Sequence, residues 1–238
     1  MDMKGAVVSY CPEMPVPPFN NATSINVNED EAESLLNKVI NYFSSKGFPF
    51  ACFRISPLTH PRSFTSLLEH YGFERKPEHE QSVMVFKEKP LEDKLNSAVK
   101  VEEISEDEID LFDRLLIRSF EMPIEWKEVF YKINLESMRK GAKHYLAYVE
   151  GKPVGTTTLF SLMKSGGIFR VGTLKEYRRR GIGTTLTVHA LMDSIDEGND
   201  LHTLQATKGG DAERLYKKIG FEIDHTVSYF VKDFKKKS

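Results

Sequence analysis

The segment that most constrains the fold places a strand, a glycine-containing turn and a helix in immediate succession. Gly167–Leu174 has the length and apolar content of a strand, and the periodicity that follows predicts a helix from about Gly181 to Ile195. Between them lies the turn Arg178–Gly183, Arg-Arg-Arg-Gly-Ile-Gly. The first amides of a helix have no partner within the helix, and its dipole favours negative charge there. The segment therefore predicts an anion site.

The residue types of the turn suit a phosphate group. Gly181 and Gly183 have no Cβ, so the backbone can approach a ligand closely. Arg178, Arg179 and Arg180 add cationic groups that match phosphate. Taken alone, three successive arginines are more typical of a solvated patch. The spacing Arg-x-x-Gly-x-Gly differs from both the dinucleotide-binding and the P-loop patterns, and after a strand it predicts a pyrophosphate site of another kind.

Two motifs in this part of the sequence resemble those of a known family. Val171–Leu186 resembles the acetyl-CoA-binding motif of the GCN5-related N-acetyltransferases (GNAT), and Ala212–Phe221 is similar to that family's second motif. The resemblance covers about residues 100–234. It implies an α/β fold in which helices flank a central mixed, mostly antiparallel sheet. The N-terminal part resembles a degenerate, smaller α/β half-domain that occurs in some members with tandem architecture.

The resemblance also implies roles for individual residues. The backbone of Val171, Gly172 and Thr173 would pair with the pantetheine arm of coenzyme A, as an added strand would. Tyr216 would be the general acid that protonates the thiolate of coenzyme A, and a phenol with a pKa of about 10 suits that task. Without the neighbouring motif, Tyr216 would be interpreted as a packed aromatic of its helix. The pyrophosphate would be held by Arg178, Arg179, Arg180, Gly181, Ile182, Gly183 and Thr184.

Two departures from the family pattern leave parts of the site open. Many family members have Asn where this chain has Gly209, so the Lys208-Gly209-Gly210 turn would have to serve through its backbone. The strand Gly167–Leu174 carries no carboxylate that could be the general base. Glu121 and an ordered water stay open as alternatives for that role, whereas His202 is interpreted as a structural histidine.

The first half of the sequence repeats the order of elements of the second. Gly72-Phe73-Glu74 follows a predicted helix just as Gly220-Phe221-Glu222 does, and a predicted strand and helix precede each. We therefore predict two domains, a degenerate GNAT-like one at residues 1–95 and a cofactor-binding one at residues 96–238. A polar linker is predicted at Pro90–Lys100.

Only the second copy has the residues that a cofactor needs. Leu68 stands in the first copy where Tyr216 stands in the second, and the acidic stretch 30–35 stands where the glycine turn would be. Acidic side chains would repel a pyrophosphate, so we expect one cofactor site in the chain.

Composition excludes several classes of protein. A net charge of −2 argues against a nucleic-acid-binding protein held by bulk charge. Cys11 and Cys52 are too few for a disulfide scaffold or a cysteine-based zinc site, so we expect a reducing compartment and no metal. The sequence has neither a signal-peptide pattern nor an apolar run of about 20 residues. We therefore expect a cytoplasmic protein without a membrane partner, as a monomer or homodimer.

These features together predict an N-acetyltransferase. It would move an acetyl group from acetyl-CoA directly to a primary amine of a small molecule or peptide, with the strand amides polarising the thioester carbonyl. The alternative is a non-catalytic module that binds or senses acyl-CoA. The missing carboxylate on Gly167–Leu174 and the glycine at position 209 keep that alternative open.

Overall fold

The computed structural model describes residues 3–87 and 95–234. Residues 90–94 of the predicted linker lie outside this range. The first strands and helices are β1 (Val7–Ser9), β2 (Asn21–Thr23), α1 (Ala32–Ser45), β3 (Phe50–Ile55), α2 (Phe64–His70), β4 (Glu74–Arg75) and β5 (Gln81–Phe86). They are followed by β6 (Lys100–Glu103), α3 (Ile109–Ser119), α4 (Lys127–Arg139), β7 (Lys143–Val149), β8 (Lys152–Leu162), β9 (Ser165–Thr173), α5 (Ile182–Asp196), β10 (Leu201–Thr207), α6 (Asp211–Ile219) and β11 (Phe221–Asp233).

The chain forms two compact units, residues 1–82 with 225–238 and residues 83–224. The boundaries differ from the predicted division after residue 95, because they fall inside strands β5 and β11. The second part of β11, from Ser228 to Asp233, pairs antiparallel with β3 and so belongs to the first unit. Periodicity along a sequence identifies a strand but not its partner, so this assignment could not be predicted from it.

In the first unit, a helix connects two parallel strands. β1 pairs antiparallel with β2, and β2 pairs parallel with β3 through Ala22 and Phe53. α1 lies between β2 and β3 in the chain, and its apolar residues at helical spacing, among them Leu36, Val39 and Phe43, are buried. Phe53 packs against the ring of Phe64, with centroids 5.4 Å apart.

The second unit contains a mixed sheet in the order β10-β9-β8-β7-β6. Neighbours from β6 to β9 are antiparallel, and only β9 and β10 run parallel. This confirms the predicted mixed, mostly antiparallel sheet. No described helix is both long enough and apolar enough to cross a membrane.

Helices cover both faces of this sheet. Gly155, which pairs with Thr173, faces α5, since a Cβ there would lie 3.0 Å from the side chain of Leu186. Gly172 faces α3, since its Cβ would lie 2.8 Å from the Cβ of Ser119. Adjacent residues of a strand point to opposite faces, so α3 and α5 lie on opposite sides of β9. Strand β9 therefore lies between α3 and α5, and each of these helices contacts one of its faces.

Candidate functional site

Strands β9 and β10 pair only at their beginnings. Their pairs run from Ser165–Leu201 to Ile168–Leu204, and the described residues show no further ladder pair between the two strands. On its other edge β9 continues to pair with β8 as far as Thr173. One edge of β9 is therefore unpaired along residues 169–173, which we call the free edge.

The free edge presents the backbone groups of alternate residues. The Leu174 N–H donates to the carbonyl of Val154, just before Gly155 of β8, at 2.9 Å. Because the backbone groups of successive residues alternate between the two edges of a strand, those of Thr173 and Val171 face the free edge and those of Gly172 face β8. A partner that adds to the sheet as a strand would meet Val171 and Thr173.

A β-bulge lies at the start of the free edge. The pairing of β8 with β9 shifts between Thr156 and Thr158, where Arg170 and Val171 lie opposite one residue. Arg170 has a φ of +55°, and its carbonyl accepts a hydrogen bond from Thr156 Oγ1 at 2.9 Å. The side-chain bond satisfies a carbonyl at the irregular part of the ladder, two residues after the last pair of β9 with β10 at Ile168.

A cavity of about 320 Å³ opens at the free edge. A Cβ at Gly172 would approach the Cβ of Ser119 to 2.8 Å and the ring of Phe120 to 2.9 Å, so the lack of a side chain at Gly172 lets α3 approach the strand. Four predicted site residues thus come together with two that the sequence did not single out. The lining consists of Ser119, Phe120, Val171, Gly172, Thr173 and Arg178.

Helix α5 starts beside this cavity, and its N-cap residue has no side chain that could bond its first amides. Its N-cap residue, Gly181, has a φ of +77°, a conformation that favours glycine. Among the described residues the N-cap provides no side-chain hydrogen bond to the first amides, and the first turn has no acidic residue. Ile182 is buried in the core, whereas Gly183 and Thr184 are half-buried. Such a helix start suits an anion through its backbone amides.

The three arginines of the turn have different surroundings. Arg178 donates to two carbonyls, through Nη2 to Ser119 at 2.7 Å and through Nε to Thr173 at 3.2 Å. The Arg180 guanidinium lies 5.3 Å from the ring centroid of Tyr177, a cation–π distance. Arg179 is exposed, with a φ of +65°. The sequence analysis treated the three arginines as equivalent phosphate-binding groups. In the structure, however, the Arg178 side chain is hydrogen-bonded to main-chain carbonyls of the protein.

Asn96 supports the turn and was not predicted. Its Nδ2 donates to the carbonyl of Arg180 at 2.9 Å, and its backbone N–H donates to Thr185 Oγ1 at 3.0 Å. The residue therefore joins the segment before β6 to both the turn and the first part of α5. No local pattern around Asn96 signals this role, because the contact spans more than eighty positions of the chain.

Tyr216 lies on α6 and is buried. Its ring packs against Phe221 with centroids 6.2 Å apart, and its hydroxyl makes no side-chain hydrogen bond with the described residues. Burial raises the pKa of the Tyr216 phenol above its ordinary value. The phenol therefore stays protonated at neutral pH, the form from which an acid can donate.

The backbone of the turn before α6 is hydrogen-bonded to side chains of that helix. The Gly209 N–H donates to Glu213 Oε2 at 2.9 Å, and the Gly209 carbonyl accepts from Arg214 Nη1 at 2.6 Å. Glu213 is buried and bonds Lys217 at 2.6 Å. The backbone of Gly209 thus caps α6, and the predicted substitute for the missing asparagine has both of its groups engaged within the protein.

The two side chains considered for proton transfer differ in position. Glu121 follows α3 with a φ of +53°, and its carboxylate is 3.6 Å from Arg178 Nη2. His202 lies on β10, where its Nδ1 is 2.8 Å from Ser194 Oγ, and burial lowers the pKa of its imidazole. Glu121 therefore lies next to a residue that lines the cavity, whereas His202 bonds to the last part of α5.

A buried polar cluster beneath β8 and β9 was also missed. Asn134 Nδ2 donates to Asp113 Oδ1 at 2.5 Å, while Asp113 Oδ2 and Asn134 Oδ1 have no partner among the described residues. Burial raises the pKa of Asp113 to about 6. His144 Nδ1 is 2.8 Å from Thr158 Oγ1, and burial and then the charge of Arg170 lower the pKa of His144 to about 4. The sequence did contain a signal for this cluster, because the carboxylate of Asp113 lies on the apolar face of α3.

The described residues contain no group of three or more His, Cys, Asp or Glu side chains that could hold a metal ion. The cavity is lined by backbone groups of β9, and the same unit contains the start of α5 and the buried phenol of Tyr216. These groups can bind an extended amide-containing chain, bind an anion at its end, and donate a proton.

Comparison with known proteins supports this interpretation. Residues 140–223 match the family described as an acetyltransferase (GNAT) domain. An N-alpha-acetyltransferase of Sulfurisphaera tokodaii is 24% identical over 138 residues, which cover 52% of this chain and 81% of that protein. The matched domain contains β9, the turn, α5 and α6, and so all the predicted site residues.

Solved structures show the same fold. A GCN5-related N-acetyltransferase from Sphaerobacter thermophilus superposes with a TM-score of 0.69 at 18% identity, over 86% of this chain and 69% of that chain. One from Kribbella flavida has a TM-score of 0.66 at 16% identity, over 95% and 88%. A tandem GNAT protein from the clavulanic acid biosynthesis pathway reaches 0.69 at 14% identity, over 92% and 76%. The tandem relative agrees with an arrangement in two halves.

Proposed function

We propose that this chain, whose residues 140–223 match an acetyltransferase (GNAT) domain, transfers an acetyl group from acetyl-CoA directly to a primary amine. One observation carries this proposal. The free edge of β9 at Val171 and Thr173 leads within a few residues into the uncapped start of α5 at Gly181. A ligand with amides along an extended arm and a pyrophosphate at its end, as coenzyme A has, fits that succession of groups.

We assign the parts of the cofactor to these residues. The pantetheine amides would pair with the backbone of Val171 and Thr173, as in strand addition. The pyrophosphate would be held by the amides from Arg179 to Thr184, with Arg179 and Arg180 contributing positive charge. Gly181 supports this role, because its φ of +77° turns the backbone into α5 without a side chain in the way.

The transfer step then needs three groups around the thioester. The amine nitrogen attacks the carbonyl carbon, and the Val171 N–H at the free edge would polarise that carbonyl. The C–S bond breaks, and Tyr216 would give its proton to the leaving thiolate. The proton lost from the amine passes to a base or to water. The place of Tyr216 in the second GNAT-like motif supports this role, whereas its raised pKa keeps the phenol protonated without favouring donation.

For the acceptor, we propose a small-molecule or peptide amine. The Sulfurisphaera tokodaii relative is named as an N-alpha-acetyltransferase, so peptides with a free α-amino group are the first acceptors to try. A cytoplasmic location, with the chain as a monomer or homodimer, stays a prediction.

The proposal is tested by incubating the protein with acetyl-CoA and a panel of peptides, polyamines and aminated small molecules, and detecting the acetylated product by mass spectrometry. We expect at least one amine to be acetylated by the wild-type protein. If acetyl-CoA binds calorimetrically but no amine in a broad panel is acetylated, the transfer proposal fails and a module that only binds acyl-CoA explains the site.

A further inference from the structure

Arg178 joins two segments at the edge of the cavity. Its Nη2 donates to the carbonyl of Ser119 at 2.7 Å, at the end of α3, and lies 3.6 Å from the carboxylate of Glu121. Its Nε donates to the carbonyl of Thr173 at 3.2 Å, at the end of β9. A single planar guanidinium therefore holds the end of α3 against the end of the strand.

The end of α3 has a feature that this contact explains. Glu121 has a φ of +53°, and the next amide, that of Met122, donates to the Ile117 carbonyl at 3.0 Å. This is the pattern that ends many helices, and glycine is the residue favoured at the left-handed position. With glutamate at this position, a carboxylate lies 3.6 Å from Arg178, a contact that glycine could not make.

A second ion pair joins the same two segments but differs in kind. Arg118 Nη2 lies 3.2 Å from Glu176 Oε1, and both side chains are more than half exposed. Exposed pairs of this type add little stability. Only Arg178 bonds to main-chain carbonyls of both segments, so it has the larger effect on their relative position.

One of the two carbonyls is also a group that the cofactor would need. The Thr173 carbonyl faces the free edge, where a strand-like ligand would pair with the backbone. Nε of Arg178 occupies it in the structure described here. A pantetheine arm that takes the position of the guanidinium beside Thr173 would replace this hydrogen bond, and Arg178 would then retain its contacts with Ser119 and Glu121.

We infer that Arg178 is a positioning residue that couples occupancy of the free edge to the loop at residues 120–126, which we call the acceptor loop. Phe120 of this loop lines the cavity on the α3 side of β9, and the amine would approach from this side. Binding of the cofactor would loosen the loop by removing one of its ties to β9, and the acceptor would enter afterwards. The inference rests on the proposed function.

The chain contains its own reporter for this coupling. Trp126 is the one tryptophan in the sequence, and it ends the 3-10 turn Ile124–Trp126 within the acceptor loop. Titration with coenzyme A should change its fluorescence with the same midpoint as calorimetric binding. In hydrogen exchange, the amides of Glu121 and Met122 should exchange about fivefold faster with coenzyme A bound, the effect of losing roughly one hydrogen bond.

The decisive variant is Arg178→Lys. It keeps the positive charge but loses the planar fork that reaches both carbonyls. We expect coenzyme A to bind this variant, the two amides to exchange faster already in the free protein, and the ligand to add no further increase. Arg118→Ala is the matched control, since it removes an arginine of the same two segments without touching either carbonyl. It should keep both responses to coenzyme A.

The inference and the proposed function fail in different ways. Wild-type protein that does not bind coenzyme A contradicts the proposed function. Wild-type protein that binds it without a change in Trp126 fluorescence or in the exchange of residues 121 and 122 contradicts only the inference. An Arg178→Lys variant whose responses equal those of the wild-type protein also overturns it.

Discussion

The starts of α1 and α5 occupy the same place in two similar chain paths. In the first unit, β1 and β2 form an antiparallel pair, α1 follows, and β3 returns parallel to β2. In the second unit, β8 and β9 form an antiparallel pair, α5 follows, and β10 returns parallel to β9. In both units a helix that begins after the second strand leads to a parallel neighbour.

The two helix starts differ in how their amides are satisfied. Before α1, Asn28 and Glu31 form a capping box, and Glu29, Asp30 and Glu31 add negative charge. Before α5, Gly181 takes a left-handed conformation, no side chain caps the helix, and the first turn has no acid. One helix start uses its own side chains, while the other leaves its amides for an anion. We therefore expect this chain path to bind an anion only where capping side chains and acid are both missing.

Other residues of the two units also differ in whether they could take part in acetyl transfer. Tyr216 on α6 is a buried phenol with a raised pKa, whereas Leu68 on α2 is a buried apolar side chain. The free edge of β9 includes a bulge at Arg170, while β2 is a strand of three residues. Each difference removes from the first unit a group that acetyl transfer would use.

The largest expected effect is on Tyr216, the group with no counterpart in the first unit. Tyr216→Phe should lower the transfer rate about 10²- to 10⁴-fold, because the thiolate would leave without an acid, and should leave coenzyme A affinity unchanged. Single-turnover rates and calorimetry measure the two quantities. Tyr145→Phe is the control, since it changes another buried tyrosine, one bonded to Asp193 at 2.7 Å. An equal loss of rate in both variants would contradict the assignment.

The second effect tests whether acid at the start of α5 makes it resemble α1. Gly181→Asp should weaken coenzyme A binding by roughly 100-fold, since a Cβ strains a backbone at φ +77° and the carboxylate repels pyrophosphate. Gly198→Asp is the matched control. Gly198 follows the other end of α5 at φ +75° with nothing near its Cβ, so that variant has similar strain and unchanged affinity. Full affinity in Gly181→Asp would place the ligand elsewhere.

A third contrast concerns pH and the buried cluster of the second unit. Folding raises the pKa of Asp113 from 3.8 to about 6, so the unfolded chain releases this proton first and stability falls as pH rises through that window. Folding lowers the pKa of His144 from 6.5 to about 4, so stability rises between those values. Each contribution is about 3 kcal/mol, and the two oppose each other.

Variants should separate these contributions in urea denaturation between pH 4 and pH 7. Asp113→Asn leaves His144, so the free energy of unfolding should increase with pH. His144→Gln leaves Asp113, so it should decrease with pH. Slopes of the same sign in both variants would show that the cluster does not titrate in this way.

The smallest effect tests the cap of α1. Asn28→Ala removes the capping side chain and should lower the free energy of unfolding by about 1 kcal/mol. Coenzyme A affinity should not change, because this helix start is not expected to bind the cofactor. Ser105→Ala, at the capping box before α3, gives a comparison within the second unit. A change in affinity in Asn28→Ala alone would contradict the distinction between the two helix starts.

Local patterns predicted the succession of strand, turn and helix at the candidate site. The helix after Gly181 and the strand before it follow from spacing and glycine conformation, which depend on neighbours in the chain. The allocation of β11 to the first unit depends on pairing with β3, which no local pattern encodes. The division predicted after residue 95 differs from the units for that reason.

The candidate site shows the same limit. Composition identified the arginines as a charged group, yet the direction of Arg178 depends on carbonyls of Ser119 and Thr173 that only folding brings together. Asn96 and the cluster at Asp113 were missed for the same reason, since their partners lie far away in the sequence.

The central claim is that this chain has one coenzyme A site, at the start of α5. Calorimetric titration of the full chain with coenzyme A tests it most directly, with the wild-type protein and Gly181→Asp measured side by side. We predict one bound coenzyme A per chain in the wild-type protein and an affinity roughly 100-fold weaker in the variant. Two equivalents per chain, or one equivalent that binds Gly181→Asp with wild-type affinity, would contradict the claim.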